Sequence, residues 1–322
     1  MLILTAAICA AFAACSTVGE IPTEFPTPEL PAAATPVPKL ELKRDAELER
    51  ALEAIARDAK GRVGAAAVVL ETGEAALLNA DQRFAMQSVY KLPIAMAVMD
   101  QVRLGEVGLD EKIAVTRDDF VRAGQASALR DRYPAGGEFT IRELIRLSLV
   151  ESDGTASDVL LRVLGGADKV QSYLLQIGIN DMRVVNTEKE IGRDWKTQFE
   201  NWSTPLAAVE LLRAVDRGDA NEVDDHLDDN GRTIYQFMID SVTGPRRLKG
   251  LLPKGAVVAH KTGTGGTRSG VNSATNDIGL VTLPNGNHLA IAVFVADSPA
   301  DEKTREAVIA RIARAAWDRF IN

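Results

Sequence analysis

Ser88 and Lys91 stand three positions apart in Ser88-Val89-Tyr90-Lys91, just ahead of the apolar run Pro93-Ile94-Ala95-Met96-Ala97-Val98-Met99. Proline lacks an N–H and fits the first turn of a helix, so this run predicts a helix that starts near Ser88. Residues at i and i+3 share a helical face, which brings the Lys91 amine within reach of the Ser88 hydroxyl. The free N–H groups and positive potential of a helix N-terminus favour negative charge beside that hydroxyl. A hydroxyl with an activating amine and an oxyanion site is the equipment of serine acyl transfer. Taken alone, the spacing is common by chance.

Two further groups follow in order, Ser152-Asp153-Gly154 and Lys261-Thr262-Gly263-Thr264. The period-3.6 segment from Ile141 to Val150 predicts a helix, and Ser152 opens the polar break after it, where a hydroxyl can face a cleft. The β-rich run from Val257 to Gly263 predicts a strand whose closing glycine lets the backbone lie against a ligand. Each group has a bland reading. Ser152 could cap the next helix and Lys261 could be a solvated strand-end charge. The agreement of three groups in order and in element is what argues for chemistry.

Composition narrows the alternatives. The chain has 322 residues, 46% of them hydrophobic and 25% charged, with a formal charge of −8, which suits a soluble protein of one large domain or two lobes. A pI near 5.1 argues against nucleic acid as a partner. The only cysteines, Cys9 and Cys15, lie in the leader, so the mature part has no thiol nucleophile or thiolate metal site. His226, His260 and His288 lack metal-ligand spacing, and neither a metal nor an organic cofactor is expected.

Residues 1–15 read as a signal segment: apolar, alanine-rich, too short for a stable membrane anchor and ending in small residues. Phe12-Ala13-Ala14-Cys15 is similar to a bacterial lipoprotein cleavage box, so lipidation of Cys15 and simple secretion are both open. Residues 16–42 form a linker in which Pro22, Pro26, Pro28, Pro31, Pro36 and Pro38 favour an extended spacer. Such a segment could tether the protein to a membrane through Cys15 or be a leader with no role.

The positioning elements read as follows. Glu41 to Lys60 is an amphipathic helix, and Val63–Leu70 with Glu74–Leu78 forms a hairpin across Thr72-Gly73. A helix-rich stretch follows from Ser88 to about Val242. Strands return near 256–263, 277–283 and 288–296, and a helix closes the chain from Asp301 to Phe320. The expected fold is α/β plus all-α: an antiparallel sheet flanked by helices, built from 43–87 and 243–322, with a helical lobe, 88–242, inserted between them. The cleft between lobes is the expected small-molecule site.

With these motifs in place, the chain from about residue 43 to its end resembles the class A serine β-lactamases. The stretches Phe199–Thr204, Thr243–Pro253 and Ala274–Asp277 look most like the subgroup typified by the PER and VEB enzymes. The resemblance implies the fold shared by serine β-lactamases and penicillin-binding proteins, a β-lactam substrate and antibiotic resistance. It implies Ser88 as nucleophile, with the N–H groups of Ser88 and Thr264 holding the oxyanion. Lys91 would help deprotonate Ser88, Ser152 would relay a proton to the lactam nitrogen, and Lys261 would supply positive charge. Gly154, Arg247, Thr262, Gly263 and Thr264 would bind substrate, with Arg247 a carboxylate anchor unless it is only a surface arginine. The loop pattern Glu188-Lys189-Glu190-Ile191 places Glu188 at the deacylating position, with Glu190 the competitor. A periplasmic, secreted or membrane-anchored monomer is the expectation.

Departures from the wider family concern the loop. Lys189 stands where proline is common, Gly192 where a side chain usually helps hold the hydrolytic water, and Asn186 and Asn201 where an Arg–Asp pair usually brackets the loop. Gly154 replaces the asparagine of its motif, which is expected to open space. Two other readings stand beside this one: a penicillin-binding D,D-peptidase, which shares the first three motifs and against which Glu188 and its loop argue, and a non-hydrolytic β-lactam sensor that acylates and stalls, which Lys189 and Gly192 keep open.

Overall fold

A computed structural model describes residues 40–217 and 228–321. The signal segment, Cys15, most of the proline-rich linker and His226 lie outside the described residues. The first elements are β1 (Lys43–Arg44), α1 (Ala46–Ala56), β2 (Arg62–Val69), β3 (Glu74–Leu78) and β4 (Phe84–Ala85), followed by α2 (Lys91–Arg103). Next come β5 (Lys112–Val115), α3 (Ala128–Arg132), β6 (Gly137–Thr140), α4 (Ile141–Val150), α5 (Gly154–Leu164) and α6 (Ala167–Gln176). The chain continues through β7 (Met182–Arg183), α7 (Glu188–Ile191), β8 (Trp202–Ser203), α8 (Pro205–Asp216) and α9 (Asp228–Ile239). It ends with β9 (Val258–Thr264), β10 (Thr267–Arg268), β11 (Val271–Thr282), β12 (His288–Ser298) and α10 (Glu302–Phe320).

The main sheet runs β1-β3-β2-β12-β11, with β9 and β10 both paired to β11. Its ladders are antiparallel except at the edge, where β1 lies parallel to β3 with Lys43 opposite Glu74, so the expected antiparallel sheet is a mixed one. β2 and β12 carry the centre and are apolar on both faces. Ala66, Val68, Ala292 and Phe294 face the core shared with α2, α4, α5 and α8, whereas Ala65, Ala67, Ile291 and Val293 face α1 and α10. A strand covered on both sides reads as a continuous apolar run rather than an alternation. Each fully buried Ile or Leu there contributes roughly 1.5–3 kcal/mol.

Caps fix the helix ends. Thr140 and Glu143 form a capping box on α4, Thr204 caps α8 with Pro205 at its first turn, and Asp301 caps α10. The amphipathic helix expected over 41–60 is shorter, because Asp45 caps α1 and residues 57–59 tighten into a 3₁₀ turn. The stretch expected to be helix-rich also holds small antiparallel sheets, β5 with β6 and β4-β8-β7. The last of these joins the segment before Ser88 to the segment after α7, and so sets the two sides of the cleft in register.

Candidate active site

Ser88 lies where β4 gives way to α2. The structure inserts one 3₁₀ turn, Gln87–Tyr90, so α2 begins at Lys91 rather than near Ser88. Gln87 takes a left-handed φ of 50°, an uncommon conformation for a residue with a Cβ, and this bends the chain to present the serine. Asn276 of β11 holds the bend by donating to the Ala85 and Met86 carbonyls at 2.8 and 3.1 Å. Gly263 lets β9 close against it: a Cβ there would lie 2.3 Å from the Met86 oxygen. The glycine of the third motif is thus required by this approach, which brings Thr264 beside the serine turn.

The Lys91 side chain is buried and its Nζ has three acceptors. It donates to Ser88 Oγ at 3.1 Å and to the Ser152 carbonyl at 2.8 Å, and lies 3.2 Å from Glu188 Oε2. Ser152 sits between α4 and α5 with φ 59°, which turns its carbonyl to Lys91 while its Oγ accepts from Lys261 Nζ at 3.0 Å. Its neighbour Asp153 is the true helix cap, accepting from Ala156 N at 2.8 Å and Leu129 N at 2.7 Å. Lys261 is fully buried on β9, and burial first, then the nearby Lys91 charge, push its amine well below the usual lysine range. Two amines, two hydroxyls and a carboxylate therefore converge on one cleft.

The local cap separates the two loop glutamates. Glu190 completes a capping box on α7, taking Thr187 N at 2.8 Å while Thr187 Oγ1 accepts Glu190 N at 3.2 Å. Glu188 projects into the cleft, where Tyr90 donates to its Oε2 at 2.7 Å. Burial would raise the Glu188 carboxyl, but Lys91, the Tyr90 hydroxyl and Gln125 together hold it below the usual range. Behind it, Asp158 of α5 accepts the Glu188 and Lys189 N–H groups at 2.6 and 3.0 Å. Burial pushes Asp158 up to about 7, against the pull of those two N–H groups. All peptide bonds among the described residues are trans, including Glu188–Lys189.

Several loop expectations change with the structure in view. Gly154 does not open space: a Cβ there would lie 2.7 Å from Glu188 Cγ and 3.1 Å from the Ala126 carbonyl. The missing Arg–Asp pair is replaced by a buried amide. Asn201 accepts Val185 N and Asn186 N at 2.8 and 2.9 Å and returns a 2.9 Å bond to the Asn186 carbonyl. The space beside Gly192 is filled by Gln125.

Arg247 is not a surface arginine. It is 3% exposed, donating to the Gly263 and Asn276 carbonyls at 3.1 and 2.9 Å and to Thr264 Oγ1 at 2.7 Å, with Glu306 on its far side. Its neighbour Arg246 is the exposed member of the run. Thr262 is held from below by Thr243, hydroxyl to hydroxyl at 2.7 Å. His260 is buried against Asp277, and His288, the first residue of β12, pairs with Asp216 at the end of α8 and Glu71 in the β2–β3 turn.

Sequence reasoning missed Tyr90, Gln125, Asp158 and the role of Asn276. Asp158 left a trace, as an acid on a helix whose other residues from 154 to 161 are buried. Gln125 left none, because its meaning arises only where its loop meets α7.

Comparison with known proteins agrees with this geometry. The β-lactamase enzyme family matches residues 47–320. The chain is 36% identical to β-lactamase VEB-1 of Pseudomonas aeruginosa over 272 residues, covering 84% of this chain and 89% of that one. It is also 36% identical to the extended-spectrum β-lactamase PER-1 of the same organism over 273 residues, covering 84% and 86%. The crystal structure of a β-lactamase from Chitinophaga pinensis superposes with a TM-score of 0.80 at 40% identity, covering 85% of this chain and 99% of that one. The chain belongs to the class A β-lactamases, serine hydrolases of the β-lactam amide.

Proposed function

We propose that hydrolysis runs through an acyl-enzyme on Ser88, with Glu188 as the base that clears it. The observation that carries this reading is the chain of contacts from Ser88 Oγ to Lys91 Nζ at 3.1 Å and on to Glu188 Oε2 at 3.2 Å, with Glu188 held ionised. Ser88 Oγ attacks the lactam carbonyl and yields its proton to Glu188 through a water, or to Lys91 once that ammonium has passed a proton to Glu188 across their 3.2 Å contact. The Ser88 and Thr264 N–H groups take the developing oxyanion. Ser152 Oγ, polarised by Lys261, relays the proton that left Ser88 to the lactam nitrogen as the ring opens, which leaves Ser152 a hydroxyl and returns Glu188 to its carboxylate. Arg247 acts from behind β9, fixing Thr264 and adding positive charge towards a substrate carboxylate, which Thr262, Gly263 and Thr264 bind along the strand edge. Glu188 then takes a proton from water, hydroxide adds to the ester, and Ser88 leaves with a proton returned.

Steady-state and burst kinetics with a chromogenic cephalosporin test this on the mature domain. Turnover by the wild type, none by Ser88→Ala and a stalled acyl-enzyme in Glu188→Gln is the expected result. A wild type that acylates once and stops would instead identify a sensor or a peptidase-like enzyme. Cephalosporins are proposed among the substrates because PER-1 is an extended-spectrum enzyme. Export is proposed from the leader, either as a secreted or periplasmic protein or as a lipoprotein anchored through Cys15, with a monomer as the default state. Among the described residues no helix is long and apolar enough to cross a membrane. For the lipoprotein, radiolabelled palmitate should mark the wild type and leave Cys15→Ala unlabelled.

A further inference from the structure

Gly192 follows Glu188 by one helical turn in a helical conformation, φ −70° and ψ −14°, so a side chain there would carry no backbone penalty. Volume excludes it instead. A Cβ at 192 would lie 2.6–2.7 Å from the three terminal atoms of Gln125, which enters from the loop before α3. The Gln125 carboxamide therefore occupies the space that a side chain at 192 would fill.

That carboxamide is aimed at Glu188. Its Nε2 donates to the Glu188 carbonyl and lies 3.5 Å from Glu188 Oε1. Two oxygens facing one end of the amide require the amino group there, which fixes its orientation. The opposite end, Gln125 Oε1, is buried with no hydrogen-bond partner among the described residues. Buried amide oxygens are costly unless a donor meets them, and a water is the smallest donor that can. The loop itself does not need Gln125, because Thr187, Glu190 and Asp158 already satisfy the first N–H groups of α7.

We propose that Gln125 is the positioning residue of deacylation: its amide clamps Glu188, and its free carbonyl oxygen accepts a hydrogen bond from the water that Glu188 deprotonates. The inference rests on Glu188 being the general base. The water's proton passes to the Glu188 carboxylate, its oxygen bonds to the acyl carbon, and the ester bond to Ser88 Oγ breaks as that oxygen regains a proton.

The test measures acylation and deacylation separately, by stopped-flow with a chromogenic cephalosporin and by intact mass of the quenched enzyme. Gln125→Ala should slow deacylation about 10- to 100-fold, the range of one hydrogen bond to a charged group. Acylation should hold, so kcat and KM fall together, kcat/KM is kept and the acyl-enzyme accumulates. Gly192→Asn alone should collide with Gln125 and be slow. The double variant Gln125→Ala/Gly192→Asn should regain deacylation, because the new amide enters the vacated space. Gln125→Met, which keeps the packing without the amide, should behave as Gln125→Ala and covers the case of a variant that folds poorly. Wild-type deacylation in Gln125→Ala, parallel loss of kcat and kcat/KM, or a double variant no faster than Gln125→Ala would each overturn the assignment. Glu188→Gln separates the two claims: turnover there defeats the base itself, whereas a stalled Glu188→Gln beside a fully active Gln125→Ala defeats only the clamp.

Discussion

Adding one carbon at Gly154 should turn this hydrolase towards a slow-release acyl-enzyme. Gly154 opens α5 without a left-handed φ, so Gly154→Ala adds no backbone strain and its effect is steric. The new Cβ would stand 2.7 Å from Glu188 Cγ; reaching an ordinary contact of 3.4 Å requires a shift of 3.4 − 2.7 = 0.7 Å. Retreat of the Cβ is blocked by the Ala126 carbonyl at 3.1 Å, so Glu188 must give way. If the carboxylate moves with its Cγ directly away from its partners, the Tyr90 bond of 2.7 Å and the Lys91 contact of 3.2 Å lengthen to at most 3.4 and 3.9 Å. A misplacement of about 1 Å in a catalytic group costs on the order of 100-fold, so a loss of about 10- to 100-fold in deacylation is expected. Crowding the site should also cost about 1–3 kcal/mol of stability. Stopped-flow burst amplitude, intact mass and a thermal melt read all three quantities. A Gly154→Ala enzyme that melts lower yet turns over at the wild-type rate, with no accumulating acyl-enzyme, would refute the placement of Glu188 as the base.

Two further predictions concern pH. Asp158 carries a carboxyl raised to about 7, mainly by burial, so the folded protein holds a proton there that the unfolded chain has released. Its contribution to stability is therefore complete below about pH 4 and is lost as pH rises through about 7, by at most about 4 kcal/mol and less where water reaches the carboxyl. Asp158→Asn cannot titrate, so its Tm relative to wild type should climb from pH 5 to about pH 8. A flat difference would mean an ordinary carboxylate. His288 is also raised, by its hydrogen bond to Asp216, against burial and with help from Glu71. Its stabilisation is present below about pH 6.5 and fades as pH rises through the higher folded value. His288→Gln should accordingly cost about 0.5–1 kcal/mol in mild acid and nearly nothing in alkali. Urea melts at the two ends of that range decide it.

What the sequence revealed, and what it concealed, follows from contact range. Ser88 and Lys91 were legible because their spacing is one helical turn, and Lys261–Gly263 because a strand ending in glycine is a local pattern. The choice between Glu188 and Glu190 was also legible in principle. Thr187-Glu188-Lys189-Glu190 has the threonine-to-glutamate spacing of a capping box, which commits Glu190 to the helix end and leaves Glu188 free. Arg247 was singled out only through the family resemblance; no local pattern separates it from Arg246, because which of two adjacent arginines turns inward depends on β9 and β11 packing beneath them. Tyr90, Asp158 and Gln125 reach Glu188 across 98, 30 and 63 positions of chain, beyond any local pattern. The small sheets β5–β6 and β4-β8-β7 escaped notice because strands of two to four residues carry too few alternations to register.

Three glycines of the site answer to a common rule that no periodicity can express. At 154, 192 and 263 the backbone is available to any residue, yet a Cβ would strike Glu188, Gln125 or the Met86 carbonyl respectively. Each marks a place where another segment has moved into the volume of a side chain. At 263 the occupant is backbone, so the glycine fixes how closely β9 approaches the serine turn. At 154 and 192 the occupants are the proposed base and its clamp, so the two departures from the family pattern are one rearrangement seen from two sides. Space given up at 154 admits Glu188, and space given up at 192 admits the amide that steadies it. The coupling has a measurable form: substitutions at 154 and 192 should not be additive in deacylation, because both act on the position of the same carboxylate. Independent effects would dissolve the rearrangement into two unrelated glycines.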